Sequence, residues 1–392
     1  MKHSSTRVHN LQPSPTVALT DKTRVLKSQG LDIISFGAGE PDFATPSHIT
    51  EAAVASLRSG FTHYVSSRGV SDLLDAIASH LCSANGISIE PTKEIIVTAG
   101  SKIAIYMSLM GLLDPGDEVL VLDPAWVSFD PMIRLASGNP VHVALDWRKN
   151  FRLEQKAIEA HVSPSTKAII LNSPNNPTGQ MLSLEELKII EKLANKHDFY
   201  IISDEIYDRI TYDGAEHISP ASLPGLEPRT LTTNGFSKAY AMTGWRLGFV
   251  AGSQELISQI LRVQQHVVTC ATSFVQAAGA AALNGPQEPL EDMMVEYRKR
   301  RMFIVDALND MPGVTCPVPA GAFYVFPRFE GLDLSSQELA NRFLEESLVA
   351  TTPGSAFGQA GEGHLRLSFA CSIEDIETGM TRMRKFLSRE EH

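Results

Sequence analysis

Four short strings carry side chains that could do covalent chemistry on a carbonyl. Gly235 to Lys238 reads G-F-S-K, and Arg246 lies eight residues past the lysine in G-W-R-L-G. Upstream, Asn172 to Gly179 reads N-S-P-N-N-P-T-G and Ser203 to Tyr207 reads S-D-E-I-Y. A lysine amine can condense with an aldehyde and later carry a proton. An aspartate can hold a proton on a ring nitrogen, and an arginine can clamp a phosphate with two parallel hydrogen bonds. Each string alone has a plainer reading: nearly all lysines are surface residues, N-P-T-G is a turn, and S-D-E-I-Y is a strand-to-loop cap. The lysine with an arginine in G-x-R-x-G eight residues on, together with N-P-x-G upstream, is a rare set, found by chance in about one in several hundred chains.

These groups need a scaffold that brings distant residues to one edge. Short apolar runs at Ile95–Thr98, Glu118–Leu122, Ala168–Leu171, Tyr200–Ser203, Thr230–Thr233 and Leu247–Ala251 alternate with helical stretches. That alternation predicts an α/β fold with a mostly parallel central sheet covered by helices on both faces. One helix has a clear start: Ser183 caps it, Glu186 completes a capping box, and Leu187, Ile190 and Ala194 form its apolar stripe. Prolines 13, 15, 41 and 46 punctuate the first 45 residues around a helical stretch from Leu19 to Gly30. After about residue 290 a charged helix (Met293–Leu308), strands near Gly321–Phe326 and His364–Phe369, and a helix from Glu374 suggest a smaller α+β unit. The expected division is 1–45 as arm and part of the small domain, 46–290 as the large domain, and 291–392 as the small domain.

Composition narrows the function. The chain has 392 residues, 43% hydrophobic and 20% charged, with a net charge of −11. An acidic balance argues against nucleic acid as a partner. The R-K-R-R run at Arg298–Arg301 reads as a solvated helix face. The four cysteines are scattered, which suits free thiols in a reducing, cytoplasmic setting. No apolar run has membrane-spanning length, the first residues form no secretory signal, and the twelve histidines show no metal-binding spacing.

The strings together resemble the active site of class I, fold type I aminotransferases, which hold pyridoxal phosphate on a lysine. G-E-P-D-F at Gly39, L-D-P-G-D-E-V at Leu113 and A-M-T-G-W-R at Ala241 are most similar to the bacterial aspartate/prephenate branch. The resemblance runs from P-S-P-T-V-A-L at Pro13 to the last helix. It implies a large cofactor-binding domain with a smaller α+β domain, and a homodimer with active sites at the subunit interface. It also implies a ping-pong exchange between an α-amino acid and a 2-oxo acid.

Roles follow by the same resemblance. Lys238 carries the cofactor, Asp204 faces the pyridine nitrogen, and Tyr207 with Asn176 shares the 3′ oxygen. Gly100, Ser101 and Lys102 open a helix at the phosphate, a natural anion seat. Ser237 and Arg246 join them, and Tyr64 reaches the phosphate of the other subunit. Trp126 stacks on the ring and borders the substrate. Arg366 grips the substrate carboxylate, with Gly39 and Asn176 beside it. Two positions depart from the pattern. Gly235 stands where many relatives have a phosphate-binding serine. Gln12 stands where dicarboxylate-using relatives have a basic residue, which weakens the case for aspartate, glutamate or prephenate. Two other outcomes remain. A lyase, cyclase or synthase would use the same carbanion without net transamination, and a regulator's ligand-binding module would use no chemistry at all.

Overall fold

Apolar runs rich in β-branched residues become the strands that line the site. A computed structural model describes residues 5–9 and 11–390. The first long helix, α1 (Pro15–Ser28), starts earlier than the apolar pattern suggested. Pro15 sits in its first turn, where a missing N–H costs no hydrogen bond. The central sheet holds β1 (Ile95–Thr98), β2 (Glu118–Asp123), β3 (Asn139–Ala144), β4 (Thr166–Asn172), β5 (Tyr200–Asp204), β6 (Thr230–Gly235) and β7 (Gly248–Ala251). Their order is β1-β7-β6-β5-β4-β2-β3. Strands β2 to β6 run parallel to their neighbours among themselves, while β7 is antiparallel to both β6 and β1. The sequence pattern missed β3. It is an edge strand in which only Val143 is buried, and it carries Pro140 and His142, so no apolar run marks it.

Alternation along the strands builds two layers. Val119, Val121, Ala168, Ile170 and Ile202 pack with Ile105 and Leu109 of α2 (Ser101–Leu112). Leu120, Ile169, Leu171 and Ile201 point the other way, onto Leu187, Ile190, Leu193 and Ala194 of α3 (Leu184–His197). The capping box at the head of α3 forms as expected. Ser183 Oγ accepts from Glu186 N at 3.3 Å, and Glu186 Oε2 accepts from Ser183 N at 2.8 Å. Glu186 also accepts from Leu153 N at 2.7 Å and Arg152 Nη1 at 2.8 Å, so one carboxylate fastens the helix to a neighbouring loop.

Beyond the sheet, α4 (Glu288–Asn309) is longer than the charged stretch suggested. Strands β8 (Tyr324–Val325), β9 (Thr352–Pro353) and β10 (Leu365–Ser368) form a small antiparallel sheet in the order β8-β10-β9. Ile34–Ser35 pairs in parallel with Val349–Ala350, tying the N-terminal segment to this region, and α5 (Ile373–Glu390) follows β10.

The R-K-R-R run is not a solvated face. Arg298 and Lys299 are exposed, but Arg300 and Arg301 are buried. Arg300 donates to Asp42 at 2.8 Å and lies over the Phe43 ring, while Arg301 bonds Asp213 and stacks 4.5 Å over Tyr212. Four consecutive residues cover a full helical turn, so some of them had to face inward.

Candidate active site

The carboxyl edge of the parallel strands opens on a cavity of about 510 Å³. Asp204 ends β5, Asn172 ends β4, and Lys238 follows β6. Ser101 and Lys102 begin α2 directly after β1, and Arg366 comes from β10. All six line this cavity, together with Trp126, Asn176, Tyr207, Ser237, Arg246 and the backbone around Gly39. Ligand sites in open α/β sheets sit at this edge because the connecting loops diverge there.

Lys238 Nζ donates to the carbonyl of Gly39. Burial pushes its pKa down to about 8; Arg366 and Arg246 act in the same direction, against Glu40 and Asp204. Asp204 is 3% exposed, and burial pushes its carboxyl up to about 7, with Glu205 adding to the rise. A carboxyl kept out of water with one weak donor, Ile206 N at 3.4 Å, is suited to a cationic partner. The Tyr207 hydroxyl lies 2.9 Å from that of Tyr324.

Arg366 is 2% exposed and donates to Asn176 Oδ1 at 3.0 Å and to Gly37 O at 2.9 Å. Its Nε has no partner among the described residues. The same geometry separates Asn176 from its neighbour. Asn175 Oδ1 is taken up locally by Thr178 N at 3.1 Å and Thr178 Oγ1 at 2.8 Å. Asn176 instead faces Arg366.

At the other end, Gly100 has φ +93°, and a Cβ there would stand 2.6 Å from Arg246 Nη2. The absent side chain is what lets the guanidinium close over the start of α2. Arg246 has a left-handed backbone (φ 55°) and donates to Thr243 O at 2.9 Å. Lys102 Nζ lies 4.8 Å over the half-buried Trp126 ring. A cradle of helix N–H groups and guanidinium, a buried carboxyl and an amine with lowered pKa fit pyridoxal phosphate.

Tyr64 is 85% exposed and does not line the cavity of its own chain, which is compatible with a residue that reaches another subunit. Gln12 is exposed and also lies outside the lining, where α1 contributes Thr16, Val17, Thr20, Asp21 and Arg24 instead. Gly235 is explained by packing: a Cβ there would stand 2.9 Å from Leu247 O and 3.1 Å from Gly248 Cα. Sequence reasoning missed Tyr324 and Glu40, which line the cavity. Tyr324 lies in the apolar string G-A-F-Y-V-F and reads as core; Glu40 sits inside G-E-P-D-F, and only its place in that motif signalled it. Among the described residues no group of three His, Cys, Asp or Glu side chains is arranged to hold a metal, and no helix is long and apolar enough to cross a membrane.

Residues 31–383 match a family model described as aminotransferase class I and II. An aspartate aminotransferase of Musicola paradisiaca is 43% identical over 381 residues, covering 97% of this chain and 95% of that protein. The aromatic-amino-acid aminotransferase 2 of Thermococcus litoralis is 42% identical over 386 residues, covering 98% of each. Among solved structures, the aspartate aminotransferase of Thermus thermophilus with maleate aligns with a TM-score of 0.94. It is 39% identical and covers 99% of this chain and 100% of that one. The aromatic aminotransferase of Pyrococcus horikoshii aligns with a TM-score of 0.90 at 43% identity, covering 95% and 99%.

Proposed function

The chain belongs to the class I and II aminotransferase family, whose members depend on pyridoxal phosphate, and from that premise we propose how its own residues carry the transfer of an amino group from an α-amino acid to a 2-oxo acid. The observation that carries the reading is the convergence of three unlike groups on one cavity: a lysine amine, a buried carboxyl and an anion cradle. Bound there, the cofactor supplies an aldehyde for the amine and a ring that withdraws electrons from the substrate's α-carbon.

Lys238 is the amine. With its pKa near 8, roughly a quarter of it is unprotonated at pH 7.5, against about one part in a thousand for an ordinary lysine. The same nitrogen moves a proton to and from the substrate α-carbon. Asp204 holds a proton on the ring nitrogen. Tyr207 and Asn176 contact the 3′ oxygen. Ser101, Lys102, Ser237 and Arg246, with the backbone at Gly100, hold the phosphate. Trp126 covers the ring and excludes water. Arg366, with Asn176 and the backbone at Gly39, orients the substrate carboxylate so that the α-C–H bond is the one that breaks.

We further propose a homodimer with active sites at the subunit interface. Tyr64 is exposed with Phe61, Leu57 and Val54 nearby in the chain, an apolar stretch suited to a second copy. Tyr64 then serves the partner's phosphate. The division into 1–45, 46–290 and 291–392 is kept as the domain proposal, with the cofactor on 46–290. A cytoplasmic setting is supported by four cysteines that are all free. Relatives named as aminotransferases, for aspartate and for aromatic amino acids, favour transamination over a lyase, cyclase or synthase outcome.

The test is spectroscopic. Purified protein with pyridoxal phosphate should develop an absorbance band that borohydride fixes onto the peptide containing Lys238. Lys238→Ala should give neither band nor labelled peptide. Adding one amino acid should yield pyridoxamine phosphate and the matching 2-oxo acid. Label on any other residue would remove Lys238 from its role, and release of ammonia without an acceptor would overturn transamination.

A further inference from the structure

Tyr324 is fully buried, and its hydroxyl stands 2.9 Å from the hydroxyl of Tyr207. Its ring lies 4.5 Å from the centre of the Arg366 guanidinium. It therefore touches, at its two ends, the side chain proposed for the 3′ oxygen and the side chain proposed for the substrate carboxylate. β8 fixes its backbone, since Tyr324 pairs with Ser368 and Val325 with Leu367, and burial leaves the ring little room to turn away from Arg366. A Cβ at Gly39 would come within 3.2 Å of its hydroxyl, so the glycine leaves room for it.

Each hydroxyl has one proton to donate. If Tyr207 gives its proton to the 3′ oxygen, Tyr324 must be the donor in the Tyr324–Tyr207 bond. A donor behind a donor polarises it, so Tyr207 binds the 3′ oxygen more strongly and in one direction. A cation on the Tyr324 ring favours negative charge on that phenol and makes its hydroxyl the better donor. Neutralising Arg366 with a carboxylate weakens this chain.

We propose that Tyr324 is a positioning residue that sets the strength of Tyr207 toward the cofactor's 3′ oxygen and couples it to occupancy of Arg366. The inference rests on the proposed contact of Tyr207. A hydrogen bond to the 3′ oxygen stabilises it most when the adjacent Lys238 nitrogen has lost its proton. Weakening that bond raises the pH at which the nitrogen deprotonates. The other charged groups facing Lys238 are Glu40, Asp204, Arg246 and Arg366. None is changed by Tyr324→Phe, which also keeps the ring over Arg366.

Holoenzyme carrying Tyr324→Phe, Tyr207→Phe or both is titrated from pH 5 to 9 by the absorbance of the bound cofactor. The midpoint of Tyr324→Phe should rise by about half a pH unit, less than one whole neutral hydrogen bond is worth. Tyr207→Phe should raise it further, and adding Tyr324→Phe to it should add nothing. For the amino acid, Tyr324→Phe should lower kcat several-fold and leave KM within about twofold. A midpoint that moves in Tyr207→Phe but not in Tyr324→Phe overturns this inference alone, as does a Tyr324→Phe effect that persists without the Tyr207 hydroxyl. A midpoint that ignores Tyr207→Phe overturns the assigned contact of Tyr207 and the inference with it.

Discussion

Replacing Asp204 by Asn should stabilise the apoprotein, and by an amount that grows with pH. Burial pushes the Asp204 carboxyl up to about 7 in the folded chain, against 3.8 for an ordinary aspartate. Between those values the folded state keeps a proton that the unfolded chain has released. The folded state is thus favoured by this group below pH 3.8, loses that advantage as pH rises, and changes no further above about 7. Across the roughly three pH units that separate the two values, at about 1.4 kcal/mol each, the loss comes to about 4 kcal/mol. Asparagine cannot ionise, yet keeps an oxygen facing Ile206 N. Lys238, which favours the charged carboxylate, loses its partner in the variant and trims the gain. Urea unfolding of cofactor-free wild type and Asp204→Asn, at one protein concentration and at pH 4.5, 5.5, 6.5 and 7.5, measures the difference. The difference should be about 1 kcal/mol at pH 4.5, already above the unfolded value, and grow to about 4 kcal/mol at pH 7.5. A pH-independent offset, or a gap that closes on going alkaline, refutes the reasoning. With cofactor bound the order should reverse, because the ring nitrogen then gives the carboxylate its cation.

Two further outcomes follow from packing. Gly235→Ser inserts the serine that many relatives have at this position, but its Cβ would press on Leu247 O and Gly248 Cα where β6 meets β7. It should cost about 1–3 kcal/mol and loosen the cofactor; a variant with unchanged denaturation midpoint and tighter cofactor retention would show that the two strands yield. Glu186→Ala removes one acceptor that serves Leu153 N, Arg152 Nη1, Ser183 N and Ser183 Oγ. Chemical denaturation should register a loss of about 2–4 kcal/mol, and a loss under about 0.5 kcal/mol would mean that water replaces the carboxylate.

What could be read along the chain was whatever has local cause. The inner strands announce themselves because each face of a parallel sheet is covered, so Ile169, Ile170, Ile201 and Ile202 must all be apolar. The head of α3 is likewise written within Ser183–Glu186. What depends on residues far apart was hidden. Arg301 is buried because Tyr212 and Asp213 meet it, and nothing near position 301 says so. Tyr324 looked like one more core aromatic until its hydroxyl met that of Tyr207. Lys238, Asp204 and Arg366 could be picked out by motif. The choice of Asn176 over Asn175 obtains its physical reason only from the contact with Arg366.

Because β6 and β7 are hydrogen-bonded neighbours paired at Gly235 and Gly248, the chain between them leaves and rejoins the sheet at a single point. Residues 236–247 form a closed noose, and Lys238 and Arg246 are both strung on it. The Lys238 amine can sweep only the arc its own methylenes permit, since its Cα is moored at both sides, and the far limb of the same noose holds the Arg246 backbone at a fixed place beside it.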